Sequence, residues 1–101
     1  MRQAILLVVL LLLPLTAASG AQYDGKADFE MFCSGCHPDG GNAINPAKTL
    51  RKMDREANGV KTAADIVKIM RKPGQGMRVY TKEDISNKRA KALAEYVLKT
   101  F

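Results

Sequence analysis

Histidine and cysteine are almost missing from this 101-residue chain, which has one histidine, His37, and two cysteines, Cys33 and Cys36. That scarcity excludes several chemistries. A structural zinc site takes four ligands, and these side chains have no partner cluster elsewhere in the sequence. A thioredoxin-type thiol centre sits in βαβ surroundings, and no stretch alternates apolar and polar residues as a half-buried strand does. There is no internal repeat and no low-complexity segment. Long apolar runs are lacking too: the one at residues 4–13 falls short of the roughly 20 residues that cross a bilayer. Arg2 precedes it and the small residues Ser19-Gly20-Ala21 follow it, the layout of an export signal over residues 1–21. Cleavage is expected before Gln22, with Ala18 as the second choice. No cysteine lies near that point, which excludes a lipid anchor there.

Acidic side chains are outnumbered, ten Asp and Glu against sixteen Lys and Arg, for a net charge of +6. Removing residues 1–21 takes away only Arg2 and leaves +5 on a domain of 80 residues, 22–101. The basic residues bunch at Lys48, Arg51, Lys52 and Arg55, and again at Lys61, Lys68, Arg71 and Lys72. Without aromatic residues interleaved among them, they read as a solvated face or a docking face for an acidic protein, not as a nucleic-acid platform. A domain this small buries too little apolar surface to be comfortably stable without a covalent or metal staple.

The scarce residues are concentrated in one place, Cys33-Ser34-Gly35-Cys36-His37. Two thiols three apart with a histidine directly behind the second form the attachment pattern of a c-type haem. On about one helical turn, residues i and i+3 share a face, so both sulfurs reach the two vinyl groups on one haem edge. His37 then approaches the iron as its proximal ligand. A large apolar plate bonded to the chain is also the staple that the small domain needs, and export suits it, since unused neighbouring thiols outside the cytoplasm would become a disulfide.

With one histidine, two imidazoles on the same iron are impossible within the chain. Of the five methionines, Met1 leaves with the signal and Met31 precedes the motif by two residues. Met53 and Met70 fall inside helical patterns, where an apolar side chain usually packs in the core. Met77 follows Pro73-Gly74-Gln75-Gly76, a loop whose glycines let backbone pass close to a planar ligand. It is the candidate second axial ligand.

The rest of the sequence reads as short helices. Asp24 caps the first, which leads through Phe29 into Cys33. Pro38-Asp39-Gly40-Gly41-Asn42 is turn chemistry, continued by Asn45-Pro46. A basic helix spans residues 49–58, stopped by Asn58-Gly59. Thr62 to Asp65 resembles a capping box opening a third helix with Ile66, Val67, Ile69 and Met70 on one side. Thr81 to Asp84 caps one further turn, and the last helix runs from about Asn87 to Lys99, with Ala90, Leu93, Ala94 and Val97 on its apolar stripe. The fold class is all-α, four to five short helices around one haem.

These residues carry a family resemblance. Gly25, Phe29, the CxxCH, a glycine-rich loop with one methionine and a terminal helix containing Ala94-Glu95-Tyr96-Val97 resemble a class I cytochrome c. Gly40-Gly41-Asn42 followed by Pro46-Ala47-Lys48-Thr49-Leu50 is similar to the c-six cytochromes, and residues 23–101 as a whole to the monohaem outer-membrane cytochromes of metal-reducing bacteria. The resemblance implies a crossing of the first and last helices at Gly25, Phe29 and Tyr96. It implies iron ligation by His37 and Met77, with the second histidine N–H given to a carbonyl of the Asn45-Pro46 loop. Lys48, with Arg71 and Gln75 nearby in sequence, is a candidate contact for the haem propionates. In two respects the chain departs from the pattern: c-six loops place proline directly after the ligand methionine, where this chain has Arg78, and the lipid-anchored outer-membrane cytochromes carry an acylation cysteine that this chain lacks.

The expected function is a periplasmic one-electron carrier and not an enzyme: a soluble monomer without lipid anchor, exchanging electrons with acidic or multihaem cytochromes or a membrane oxidase or reductase. Its rival is a haem protein with an open sixth position for gas binding or peroxide chemistry. Peroxide chemistry wants a distal base, and the sole histidine is already used.

Overall fold

A computed structural model describes residues 23–101; residues 1–22, with the expected export signal and its cleavage point, lie outside them. Helix α1, Gly25–Phe32, begins where the Asp24 carboxylate accepts the Ala27 N–H at 3.0 Å. It ends where the N–H groups of Cys33 and Ser34 share the Phe29 carbonyl, at 2.8 and 2.9 Å. A single 3-10 turn, Pro38–Gly40, follows. Helix α2, Lys52–Ala57, is shorter than the expected 49–58. The Thr49 hydroxyl donates to the Asp54 carboxylate and accepts the Arg51 N–H, which holds residues 49–51 as a turn ahead of the helix.

Helix α3, Ala63–Arg71, opens with the expected reciprocal cap, the Asp65 N–H donating to the Thr62 hydroxyl and the Thr62 N–H donating to the Asp65 carboxylate. The Lys61 N–H, also bonded to that carboxylate, is the leading reason the Asp65 pKa lies below the ordinary carboxylate value. Helix α4, Asn87–Thr100, is capped by the Ser86 hydroxyl. The expected turn at Thr81 is present, with the Asp84 carboxylate accepting the Thr81 N–H and the Thr81 hydroxyl accepting the Asp84 N–H. There is no strand among the described residues, and the architecture is all-α.

Helices α1 and α4 cross in contact, and α3 packs on α4. Glycine is required at the crossing. A Cβ on Gly25 would lie 2.4 Å from the Ala92 carbonyl oxygen and 2.9 Å from the Tyr96 Cβ. One turn on, the Phe29 ring sits 5.5 Å from Tyr96 and 5.3 Å from Phe101, so the anticipated aromatic crossing gains a third ring. The stripe Ala90, Leu93, Ala94 and Val97 is buried against Phe29, Ile66, Met70 and Ile85. A charged link joins the same two helices: Arg89 grips the Asp28 carboxylate at 2.7 and 3.1 Å, with Asp28 only 7% exposed.

Two expectations about α2 are corrected. Met53 is not core packing but 82% exposed, whereas Arg55, counted among the exposed basic residues, is 5% exposed. The Arg55 Nε donates to the Leu50 carbonyl at 2.6 Å, so this short helix turns its arginine inward and its methionine outward. An aliphatic stem covered by protein with its head hydrogen-bonded is a stable way to bury arginine.

Candidate haem site

The CxxCH segment continues α1 by one turn. The N–H groups of Cys36 and His37 both reach the Cys33 carbonyl, at 3.2 and 2.9 Å, which brings the two thiols and the imidazole round one short loop. Both cysteines are free, Cys33 half-buried and Cys36 exposed. Burial, reinforced by the Asp28 carboxylate and by Cys36, pushes the Cys33 thiol up to about 11.

His37 is oriented by one strong contact. Its Nδ1 lies 2.7 Å from the Gly41 carbonyl oxygen. A carbonyl only accepts, so Nδ1 carries the hydrogen in this contact, and Nε2 is the ring nitrogen left for a metal. The acceptor was expected in the Asn45-Pro46 loop, and the difference has a local cause. The turn at residues 38–40, with Asp39 and Gly40 both at positive φ, folds Gly41 back toward the ring. The Asn45 carbonyl is taken by the Lys48 N–H at 2.9 Å, and the Asn42 side chain ties the rest of that loop to itself.

Met77 is half-buried and packs against the same apolar cluster as Cys33, Phe32, Leu50, Val60 and Val67. Just before it, Gly76 has φ +93, and a Cβ there would meet the Ile44 methyl at 3.3 Å. The methionine loop thus passes beside the loop that follows the motif. Met31, by contrast, is 71% exposed, and Met70 is in the core as expected. Of the three residues suggested for propionates, Lys48 and Gln75 are exposed. The Arg71 guanidinium instead donates to the carbonyls of Tyr80 and Thr81, at 3.0 and 2.8 Å, and to Asn87 at 3.0 Å.

Sequence reasoning passed over Tyr80. Its ring meets Phe32 edge-on at 6.0 Å, and its hydroxyl donates to the Phe32 carbonyl at 2.7 Å. Burial raises this hydroxyl above the ordinary phenol value, so it stays protonated and able to donate. The one signal in the sequence was an aromatic residue at the end of an otherwise polar, glycine-rich loop.

Comparison with known proteins places this geometry. The model of the family described as cytochrome c oxidase, cbb3-type, subunit III matches residues 20–97. Cytochrome c6 from Synechocystis is 42% identical over 83 residues, covering 82% of this chain and 68% of its own. The chain belongs to the c6-like class I cytochromes c. Among solved structures, OmcF, the outer-membrane cytochrome F from Geobacter sulfurreducens, superposes with a TM-score of 0.75 at 41% identity, over 77% of this chain and 99% of that one. Cytochrome c6C from Synechococcus gives a TM-score of 0.69 at 31% identity, over 74% and 90%. This cytochrome is accordingly an electron-transfer protein and not an enzyme, and its cofactor is one covalently attached haem c.

The residues fit that group. The thiols sit one turn apart, His37 has Nδ1 committed to Gly41 and Nε2 left for a metal, and Phe32, Leu50, Val60, Val67 and Met77 are partly exposed apolar side chains packed on the core. Apolar side chains against a haem keep water from the metal and so lower the reorganisation that accompanies each electron. Among the described residues no helix is long and apolar enough to cross a membrane.

Proposed function

We propose that this cytochrome is a periplasmic one-electron carrier whose haem is bonded to Cys33 and Cys36 and whose iron is held between His37 and Met77. The observation that carries the reading is the 2.7 Å contact from His37 Nδ1 to Gly41. It commits Nδ1, leaves Nε2 for the iron and holds the ring plane. When bound, the haem iron supplies the Fe(III)/Fe(II) couple. Met77 offers a soft thioether that favours the reduced state over what a second imidazole would give. Lys48 and Gln75, exposed beside the site's loops, and the donors of Arg71 not spent on Tyr80, Thr81 and Asn87 are offered to the propionates. Export depends on residues 1–21 acting as a cleaved signal, after which the domain moves as a monomer between its partners.

A carrier must dock briefly, so charge acts on encounter rate more than on lasting affinity. Arg51 and Lys52 are exposed at the start of α2 and can steer an acidic redox partner, whereas Arg55 is buried and cannot. Stopped-flow oxidation of the reduced protein by an acidic cytochrome tests this. One electron should leave each chain, at a rate that falls as salt shortens the Debye length from ~10 Å at 0.1 M to ~3 Å at 1 M. Arg51→Glu with Lys52→Glu should slow the reaction at low salt and leave it unchanged at high salt. A rate indifferent to both salt and reversal removes the docking role, and a stoichiometry other than one electron removes the carrier.

A further inference from the structure

The loop that carries Met77 has exposed residues on either side of it, Gly76 before and Arg78 and Val79 after, with Val79 51% exposed. Its firmness must come from where it is tied, and the ties converge on Tyr80. The Tyr80 N–H donates to the Met70 carbonyl at 2.9 Å. Arg71, one residue beyond Met70, donates to the Tyr80 and Thr81 carbonyls and to Asn87, which closes the loop's base onto the start of α4. Arg78 stacks over the Tyr80 ring at 5.1 Å and reaches Asp84 at 3.7 Å.

The fourth tie crosses the site. The Phe32 carbonyl belongs to the last turn of α1, where helix geometry leaves carbonyls without a partner in the helix. The N–H groups of Cys33 and Ser34 both go back to Phe29, and the Tyr80 hydroxyl takes up the Phe32 oxygen at 2.7 Å. Phe32 is the residue directly before the first attachment cysteine, and Tyr80 is three residues after Met77. A single hydrogen bond between groups 48 residues apart thus joins the segment that would fix the haem to the segment that would close its iron.

We propose that Tyr80, braced by Arg71, is the positioning residue that sets how firmly Met77 closes the iron. The inference rests on the reading of Met77 as axial ligand and adds what governs its hold. Tyr80 acts through its bond to the Phe32 carbonyl, holding the methionine loop at a set distance from the Cys33–His37 turn. Losing the hydroxyl frees the loop to swing and leaves a carbonyl at the attachment turn without its donor, so the sulfur leaves the metal more often.

The test uses the haem-loaded full chain and measures how fast the ferric protein takes up imidazole, which enters when the methionine departs. Tyr80→Phe should keep the iron–sulfur charge-transfer band yet take up imidazole about tenfold faster, the ratio expected for one buried hydrogen bond. Arg71→Gln should accelerate uptake in the same direction and serves as the second reading if Tyr80→Phe folds poorly. Val97→Ala, which opens a cavity in the core without removing any of the loop's hydrogen bonds, should lower the melting temperature while leaving the uptake rate at the wild-type value. Uptake unchanged in both Tyr80→Phe and Arg71→Gln, or equally raised in Val97→Ala, overturns the proposal. Failure of the underlying ligand reading shows elsewhere, as a charge-transfer band that survives Met77→Ala.

Discussion

With Cys33→Ala and Cys36→Ala together, haem is expected to leave the polypeptide on acid–acetone extraction, and the chain is expected to lose its cooperative melting transition. The wild-type protein should keep its haem through the same extraction and through denaturing electrophoresis. The buried side chains number few, Ile85, Leu93 and Val97 being the largest that are fully buried, and part of the apolar surface at Phe32, Leu50, Val60 and Val67 is only partly covered by protein. A domain of this length sits near the limit where a core alone sustains folding. A covalently attached haem would cover apolar side chains that protein leaves partly exposed, so losing the attachment should remove both cofactor and core. Extractable haem in the wild type, or a sharp melt in the double variant, contradicts this.

Phe29→Ala should lower the melting temperature more than any other single change outside the haem contacts. The ring is 4% exposed and packs at 5.5 Å on Tyr96 and 5.3 Å on Phe101, so it ties α1 to the end of α4. Phe101 in turn lies against Gly40, where a Cβ would come within 2.4 Å of its ring, and its backbone oxygen accepts the Lys52 N–H at 3.0 Å. Truncating a buried phenylalanine costs about 3–5 kcal/mol. In a domain of 60–100 residues each kcal/mol moves the melting temperature by roughly 4–8 °C, so a fall of at least about 12 °C is expected in thermal melts followed by circular dichroism. The charge-transfer band of the folded protein should be unaltered. A shift of only a few degrees would place the stabilising contacts elsewhere.

What the sequence revealed was local. Asp24 as a cap, the Thr62–Asp65 box and the apolar stripe of α4 all rest on residues within one or two turns, or on a periodicity that a helix imposes. The crossing at Gly25, Phe29 and Tyr96 was implied only by the family resemblance, and the other contacts between distant residues left no trace. Nothing in the chain announces that Arg89 would hold Asp28, or that Tyr80 would reach Phe32, because each partner is an ordinary residue at its own position. Helix α2 misled for a related reason. At six residues it is too short for periodicity to name its inner face, and arginine, with a long aliphatic stem, took the place that methionine was expected to fill. The acceptor for His37 turned on the positive φ of Asp39, a conformation uncommon outside glycine and therefore hard to anticipate.

The central claim is that the iron is closed by His37 on one side and Met77 on the other, and the ferric charge-transfer band of iron bound to thioether sulfur tests it most directly. The wild-type protein should show the band. Met77→Ala should abolish it, lower the potential and let carbon monoxide bind the ferrous form rapidly, whereas Met70→Leu and Met53→Leu should retain it, since one is a volume-conserving core change and the other alters an exposed side chain. A band that persists in Met77→Ala, or that disappears in Met70→Leu, would contradict the account.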